Sequence, residues 1–381
     1  MKIVIAIDSM KGCLSSRAVG EAVREGIRRV FPDAEIRVFS VADGGEGTTD
    51  ALVTALNGSY RSLEVLDPLG RTIPVQYGIL PDGTAVLEMA AASGLALLTE
   101  AERNPWITTT YGFGQMIADA VQNGCRNLIL GIGGSATNDG GIGCLQALGF
   151  SMESQDGTPV SFGAAGLTEL SRIDESRKLA ELSACSVHVA CDVRNPLCGP
   201  EGCSAVFGAQ KGADAVMIAN MEQGMQHFAK LTQREHTSAD PEMPGAGAAG
   251  GLGYALFHYL HAKPEPGIGL VLKQIKIEKA IRDADVVITG EGCLDAQTVM
   301  GKAPAGIAGL AKQYQKTVIA FCGVRRNGAE ICNENGIDAY FPILHEICTA
   351  SEAMMPEYAE KNLSDTAEQV FRLVRCLSGR S

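Results

Sequence analysis

Within its first forty residues the chain passes from a short apolar strand to an amphipathic helix and back to a strand, a succession that commits it to parallel sheet. Residues 3–7 are nearly continuous in apolar side chains, as expected of a strand covered on both faces. Ser15 or Ser16 can cap a helix whose apolar residues recur at Val19, Ala22, Val23, Ile27 and Val30. Pro32 follows its end, and residues 35–41 read as a second strand. Strand, helix and strand at this spacing make a βαβ crossover.

The last third resumes the pattern, with strands predicted at 284–289, 317–322 and 339–344 and a helix at 304–314. A closing helix over 357–377 is expected to break near Ser364. The middle is different. Residues 72–77 alternate like a hairpin strand, Pro81-Asp82-Gly83 is a turn, 84–88 is a strand, and long glycine loops follow. The organisation predicted is two α/β domains: a flavodoxin- or Rossmann-like parallel-sheet domain of residues 1–64 plus 275–381, with a mixed α/β domain, 65–274, inserted into it.

Composition narrows the function. A net charge of −12 gives no basic surface for nucleic acid. No apolar run approaches the ~18 residues of a membrane span. The twelve cysteines contain no C-x-x-C, so they read as reduced thiols of a cytoplasmic protein. Cys185, His188 and Cys191 come nearest to a zinc pattern, but a strand turns His188 to the opposite face from both cysteines.

Glycine is the outlier, at 45 residues of 381, and its clusters lie where strands end. The run Gly131-Ile-Gly133-Gly134-Ser135-Ala136-Thr137-Asn138-Asp139-Gly140-Gly141-Ile-Gly143 follows a strand at 127–130 and opens a helix. Backbone amides freed of Cβ atoms, at a helix start, suit an oxyanion. No Gly-Lys-Ser/Thr follows, so this is not a Walker A loop. Gly131-x-Gly133-x-x-Ala136, with Glu153 beyond it, also fits a dinucleotide fingerprint, which keeps an NAD-dependent oxidoreductase as a rival reading. A non-catalytic protein that binds a small anion is the other.

Three further strand ends carry acids in loops: Asp43 and Glu46, Asp192 beside Arg194, and Glu291 with Asp295. Ligands of open parallel sheets gather outside the carboxyl ends of strands. Lysines flanked by glycine occur at Lys11, Lys211 and Lys302, the last just ahead of Pro304 at a helix start. Carboxylates for Mg²⁺ and for the attacking hydroxyl, with cations for developing charge, are the parts phosphoryl transfer needs.

Taken in order, MKIVIAIDSMKGCLSS, VADGGEGTTDAL, LEMAAASGLALL, GIGGSATNDGG, ACDVRNPL, FGAQKGA, PGAGAAGGLG, TGEGCLDAQT and GKAPAGIA resemble the bacterial glycerate kinase family over nearly the whole chain. The resemblance implies two α/β domains with the active site in the cleft between them, ATP and Mg²⁺, glycerate as acceptor, and phosphoglycerate, with the 2-phosphate favoured, as product. On that reading Gly133, Gly134, Ser135, Asn138 and Gly140 hold ATP phosphates. Asp192 and Asp295 bind Mg²⁺ or orient the hydroxyl, and Lys11 and Lys302 neutralise phosphate or carboxylate. Asp8, Ser9, Asp43, Glu46 and Glu291 complete the acceptor site. Cys293 stands where the family pattern expects Arg, which puts acceptor choice in doubt if that Arg contacts glycerate.

Overall fold

The computed structural model describes residues 1–379. The chain separates into two compact units: Met1–Asp43, Asp50–Leu56 and the segment from Pro266 onward form one, and Gly44–Thr49 with Asn57–Glu265 form the other.

In the first unit, β1 (Lys2–Ile7) and β2 (Glu35–Ser40) pair in parallel around the helix Ser16–Arg28. Ser15 caps that helix, its hydroxyl accepting from the Ala18 N–H at 3.3 Å. The chain then builds the second unit. An antiparallel hairpin of β3 (Ser59–Leu66) and β4 (Thr72–Ile79) leads to β5 (Ala85–Glu88) and β6 (Asn127–Gly131). A two-stranded piece, β7 (Ser151–Glu153) with β8 (Arg172–Asp174), stands apart from this sheet. β9 (Ser186–Ala190) and β10 (Lys263–Glu265) complete a six-stranded mixed sheet in the order β10-β9-β6-β5-β4-β3. The chain returns to the first unit through β11 (Val286–Leu294), β12 (Thr317–Arg325) and β13 (Ala339–Pro342), giving a parallel sheet ordered β13-β12-β11-β1-β2. The class is therefore α/β, as the periodicity indicated.

Two boundaries differ from the sequence reading. β3 pairs with β4 along its whole length, so residues 57–64 belong with the second unit. The return falls at Pro266, which gives the helix Gly267–Gln274 to the first unit. The closing helix, Pro356–Ser378, runs unbroken. Ser364 does not interrupt it, because it is buried where Gly26 of the first helix packs, and a Cβ at Gly26 would overlap the Ser364 carbonyl. Phe371 of the same helix meets Phe31 edge to face, with ring centroids 6.2 Å apart.

The core of the second unit lies between its sheet and the helix Tyr111–Gln122, where Phe113, Met116 and Ile117 are buried. Gly112 lets that helix reach the end of β3, since a Cβ there would overlap the Leu66 carbonyl oxygen. Gly112→Ala is expected to cost about 2–3 kcal/mol through overpacking, read as a lower urea midpoint with unchanged slope. Among the described residues no helix is long and apolar enough to cross a membrane.

Candidate active site

Each unit gathers its own share of the sequence-predicted residues. In the first, parallel strands end side by side, so the loops after them open on one edge of the sheet. There a cavity of about 380 Å³ is lined by Asp8 and Ser9 after β1, Asp43 after β2, Glu291 on β11, and Lys11 and Lys302. Met10, Val324, Ile343, Leu344 and Met354 supply its apolar wall.

Asp8 is the most perturbed of these groups. It is 4% exposed, and its Oδ1 accepts from the Ser9 N–H at 2.7 Å. Burial, then the charge of Asp43, push its pKa up to about 7, with Glu291 adding and the Ser9 N–H and Lys11 opposing. Glu291 is buried as well. Its Oε1 accepts from the Thr298 hydroxyl at 2.6 Å and its Oε2 lies 3.7 Å from the Lys302 ammonium. Burial raises its pKa against both partners. Lys302 precedes the helix Ala303–Gln313, whose Pro304 marks the start, and also lies 3.8 Å from Asp295 Oδ1. Asp295 itself accepts from the Gln297 N–H at 2.8 Å and lines a shallow hollow with Arg325 and Arg326, outside the cavity's lining. Cys293, at the position where an Arg is expected, lines the cavity.

In the second unit the glycine-rich loop follows β6, as expected, but works differently from the expectation. Only its first part, Gly133 and Gly134, is exposed, with Gly134 at φ +73°. From Ala136 through Gly143 the loop is buried. Asn138 is 0% exposed and donates its Nδ2 hydrogen to Ser204 Oγ at 2.9 Å. Gly140 is packed under Phe228, Leu167 and Met225, and its N–H donates to the Gly250 carbonyl at 2.9 Å. Asn138 and Gly140 are thus corrected from phosphate ligands to structural residues. Asp139, which the sequence reading passed over, lies just ahead of the short helix Ile142–Ala147 and binds amides at its start. Its carboxylate accepts from Thr110 N and Oγ1, both at 2.8 Å, from Gly141 N at 3.0 Å and from Gly143 N at 3.4 Å. That helix start already holds a carboxylate, so it cannot also seat a pyrophosphate, and the dinucleotide reading loses its main element. Glu153, the acid invoked for the ribose, lies on β7 with its carboxylate 3.7 Å from Arg172.

Lys211 is the other surprise. It is 2% exposed, and its ammonium donates to Ser135 Oγ at 2.8 Å and to the Thr137 carbonyl at 2.6 Å. The Gly245–Gly250 loop is also explained by close packing: Cβ atoms at Gly247 and Gly250 would overlap the carbonyls of Pro196 and Thr137. Asp192 is exposed just beyond β9, and Glu46 is exposed in the segment Gly44–Thr49, whose Gly47 and Thr49 N–H groups donate to the Glu88 carboxylate. Asp43 and Glu46, neighbours in sequence, belong to different units.

Comparison with known proteins gives one answer. The family model described as the glycerate kinase family matches residues 3–375. A glycerate kinase of Haemophilus influenzae is 45% identical over 98% of this chain and 99% of its own. A glycerate 2-kinase of Escherichia coli K12 is 43% identical over 96% of this chain and 98% of its own. The crystal structure of a Salmonella typhimurium LT2 protein assigned as glycerate kinase 2 superposes with a TM-score of 0.91 at 42% identity, covering 100% of this chain and 99% of that one. Likeness this deep, across both units and both sets of loops, shows that the chain belongs to the glycerate kinase family.

Proposed function

We propose that the protein transfers the γ-phosphoryl group of ATP to the 2-hydroxyl of glycerate, giving 2-phosphoglycerate and ADP. Relatives of the chain are named glycerate kinase, and one of them glycerate 2-kinase. The observation that carries the chemistry is the cavity of the first unit, where a buried carboxyl poised near neutrality sits among two further acids and two lysines.

Asp8 is the proposed base. As the glycerate hydroxyl oxygen bonds to the γ-phosphorus, its proton passes to the Asp8 carboxylate. The bond from the γ-phosphorus to the bridging oxygen breaks, and ADP leaves with that electron pair. Lys11 and Lys302 neutralise the glycerate carboxylate and the phosphoryl oxygens, with Glu291 and Asp295 holding Lys302 from two sides. Ser9 lies beside Asp8 at the cavity wall and is proposed to bind the acceptor. On the second unit, Gly133, Gly134 and Ser135 are proposed to contact the nucleotide's phosphates, and Asp192 and Glu46 remain candidates for polar contacts to the substrates.

Mg²⁺ fits the donor set as a companion of the nucleotide. Among the described residues no group of three or more His, Cys, Asp or Glu side chains is placed to hold a metal by itself. Mg²⁺ needs only one or two carboxylates when water and phosphate supply the rest. Asp43 and Asp295 on the first unit and Asp192 on the second are the carboxylates proposed as its candidates. Bound there, the ion would neutralise charge on the phosphates. The twelve cysteines are all free thiols, which supports a cytoplasmic setting.

A coupled ADP assay over a panel of hydroxy acids tests the function, with ³¹P NMR distinguishing the 2-phosphate from the 3-phosphate. ADP release that does not depend on glycerate would overturn it. In the same assay Lys302→Met is expected to raise KM for glycerate by about tenfold or more, since it removes a charge-assisted contact. An unchanged KM would take Lys302 out of the acceptor site.

A further inference from the structure

We infer that Lys211 is a positioning residue of the phosphate-binding segment: from beneath the loop it fixes Ser135 and lends the segment its positive charge. The inference rests on the assignment of Gly133, Gly134 and Ser135 to the nucleotide.

Lys211 ends the short turn Ala209–Lys211, and Gly212 follows it in the left-handed conformation at φ +97°. That turn drives the lysine side chain inward. Its ammonium then bridges two points of the glycine-rich loop, the Ser135 hydroxyl and the Thr137 carbonyl, on either side of buried Ala136. Ser135 is itself half-buried at the edge of the exposed Gly133–Gly134 stretch. An ammonium can only donate, so the Ser135 oxygen accepts from it, and the hydroxyl hydrogen is left to point elsewhere. A hydroxyl held this way is oriented as a donor, which is what a phosphate oxygen requires.

A merely structural lysine would be an expensive choice here. Its methylene stem could pack as well without a charge, and burial of an ammonium is costly. The groups facing it are Asp139, in the same loop, and Cys203, on the helix Cys203–Phe207. Asp139 is already surrounded by four donors of its own. The Cys203 thiol is pushed up to about 11 by burial and stays neutral at physiological pH. Asp139 supports the ammonium's charge from a distance, but neither group makes a contact ion pair with it, and an anion outside the loop would add to that support. Burial pushes the Lys211 pKa down to about 8. The ammonium is therefore charged below that pH and loses its charge above it. Two buried oxygens of the loop, Thr137 Oγ1 and Asn138 Oδ1, have no hydrogen-bond partner, so the loop is not closed by its own contacts.

The test is a KM-against-kcat split with a pH profile. For the wild-type enzyme, KM for ATP-Mg²⁺ should rise as pH passes through about 8, while KM for glycerate stays level. Lys211→Met should raise KM for ATP by about tenfold or more at pH 7, leave KM for glycerate within about twofold, and abolish the rise near pH 8. Ser135→Ala, which leaves the buried lysine and its bond to the Thr137 carbonyl in place, should raise KM for ATP and still fold, at a lower unfolding temperature, so the inference stays open to test if Lys211→Met does not fold. A Lys211→Met enzyme with wild-type KM for ATP and an unchanged pH profile overturns the inference, as does Ser135→Ala with unaltered KM if Lys211→Met is unfolded. A wild-type protein that phosphorylates no hydroxy acid would instead defeat the proposed function itself.

Discussion

Asp8→Asn is expected to lower kcat by about 10²- to 10⁴-fold and, at the same time, to make the protein harder to unfold. Both results follow from the same placement. Asp8 is buried beside Asp43 and Glu291, and its carboxyl titrates near 7 where an ordinary aspartate titrates at 3.8. Between those two values the folded chain holds a proton that the unfolded chain has released. Stability therefore falls as pH rises from about 4 to about 7, and the full penalty is present above that range. Asn cannot ionise, and its amide oxygen can keep the Ser9 N–H bond. The variant should match the wild type near pH 4 and exceed it at pH 8 by at most ~4 kcal/mol, the equivalent of about three pH units. Thermal unfolding between pH 4 and 8 in EDTA, so that no metal neutralises the cluster, measures the difference. Turnover within threefold of wild type would remove Asp8 as the base. A flat difference across the pH range would remove the buried charge from the account.

The second large effect belongs to Asp139. Asp139→Ala is expected to destabilise the protein by about 3–5 kcal/mol, because it strands buried donors that now share one carboxylate. Asp139→Asn should rescue little, since its amide nitrogen would set a donor against donors. The consequence reaches the proposed phosphate segment. Asp139 holds the inner end of the loop to Thr110 and to the following helix, while Lys211 holds the outer end at Ser135 and Thr137. Urea denaturation gives the stability loss, and hydrogen exchange at the Gly141 and Gly143 amides locates it. A loss under 1 kcal/mol, with those amides still protected, would mean that the carboxylate is dispensable to the loop.

The acids and lysines of the first unit were legible because parallel strands obey a simple rule. Once residues 3–7, 35–41 and 284–289 read as parallel strands, the loops after them had to open on one edge. Asp8, Asp43, Glu291 and Lys302 duly line one cavity. Asp295 escaped that rule because β11 runs on to Leu294, and the turn after it carries Asp295 to a separate hollow. The glycine-rich loop was legible as a loop but not in its parts. Glycines that open a backbone to an anion and glycines that let two helices touch look alike in sequence. Gly133 and Gly134 are of the exposed kind and Gly140 and Gly141 of the packed kind, a distinction made by Phe228, Met225, Leu252 and Ala255 far along the chain.

By itself, then, the sequence determined the α/β class, the interruption of one sheet-forming segment by another, and the family, since periodicity and ordered motifs are local properties of the chain. Only the tertiary structure decided which ionisable groups leave water. Lys11 and Lys211 both neighbour glycine, yet one is exposed and the other is sealed beneath a loop. Desolvation depends on what packs over a side chain, and those atoms come from residues distant in sequence, so the pKa of Asp8 and the charge state of Lys211 are properties of the fold.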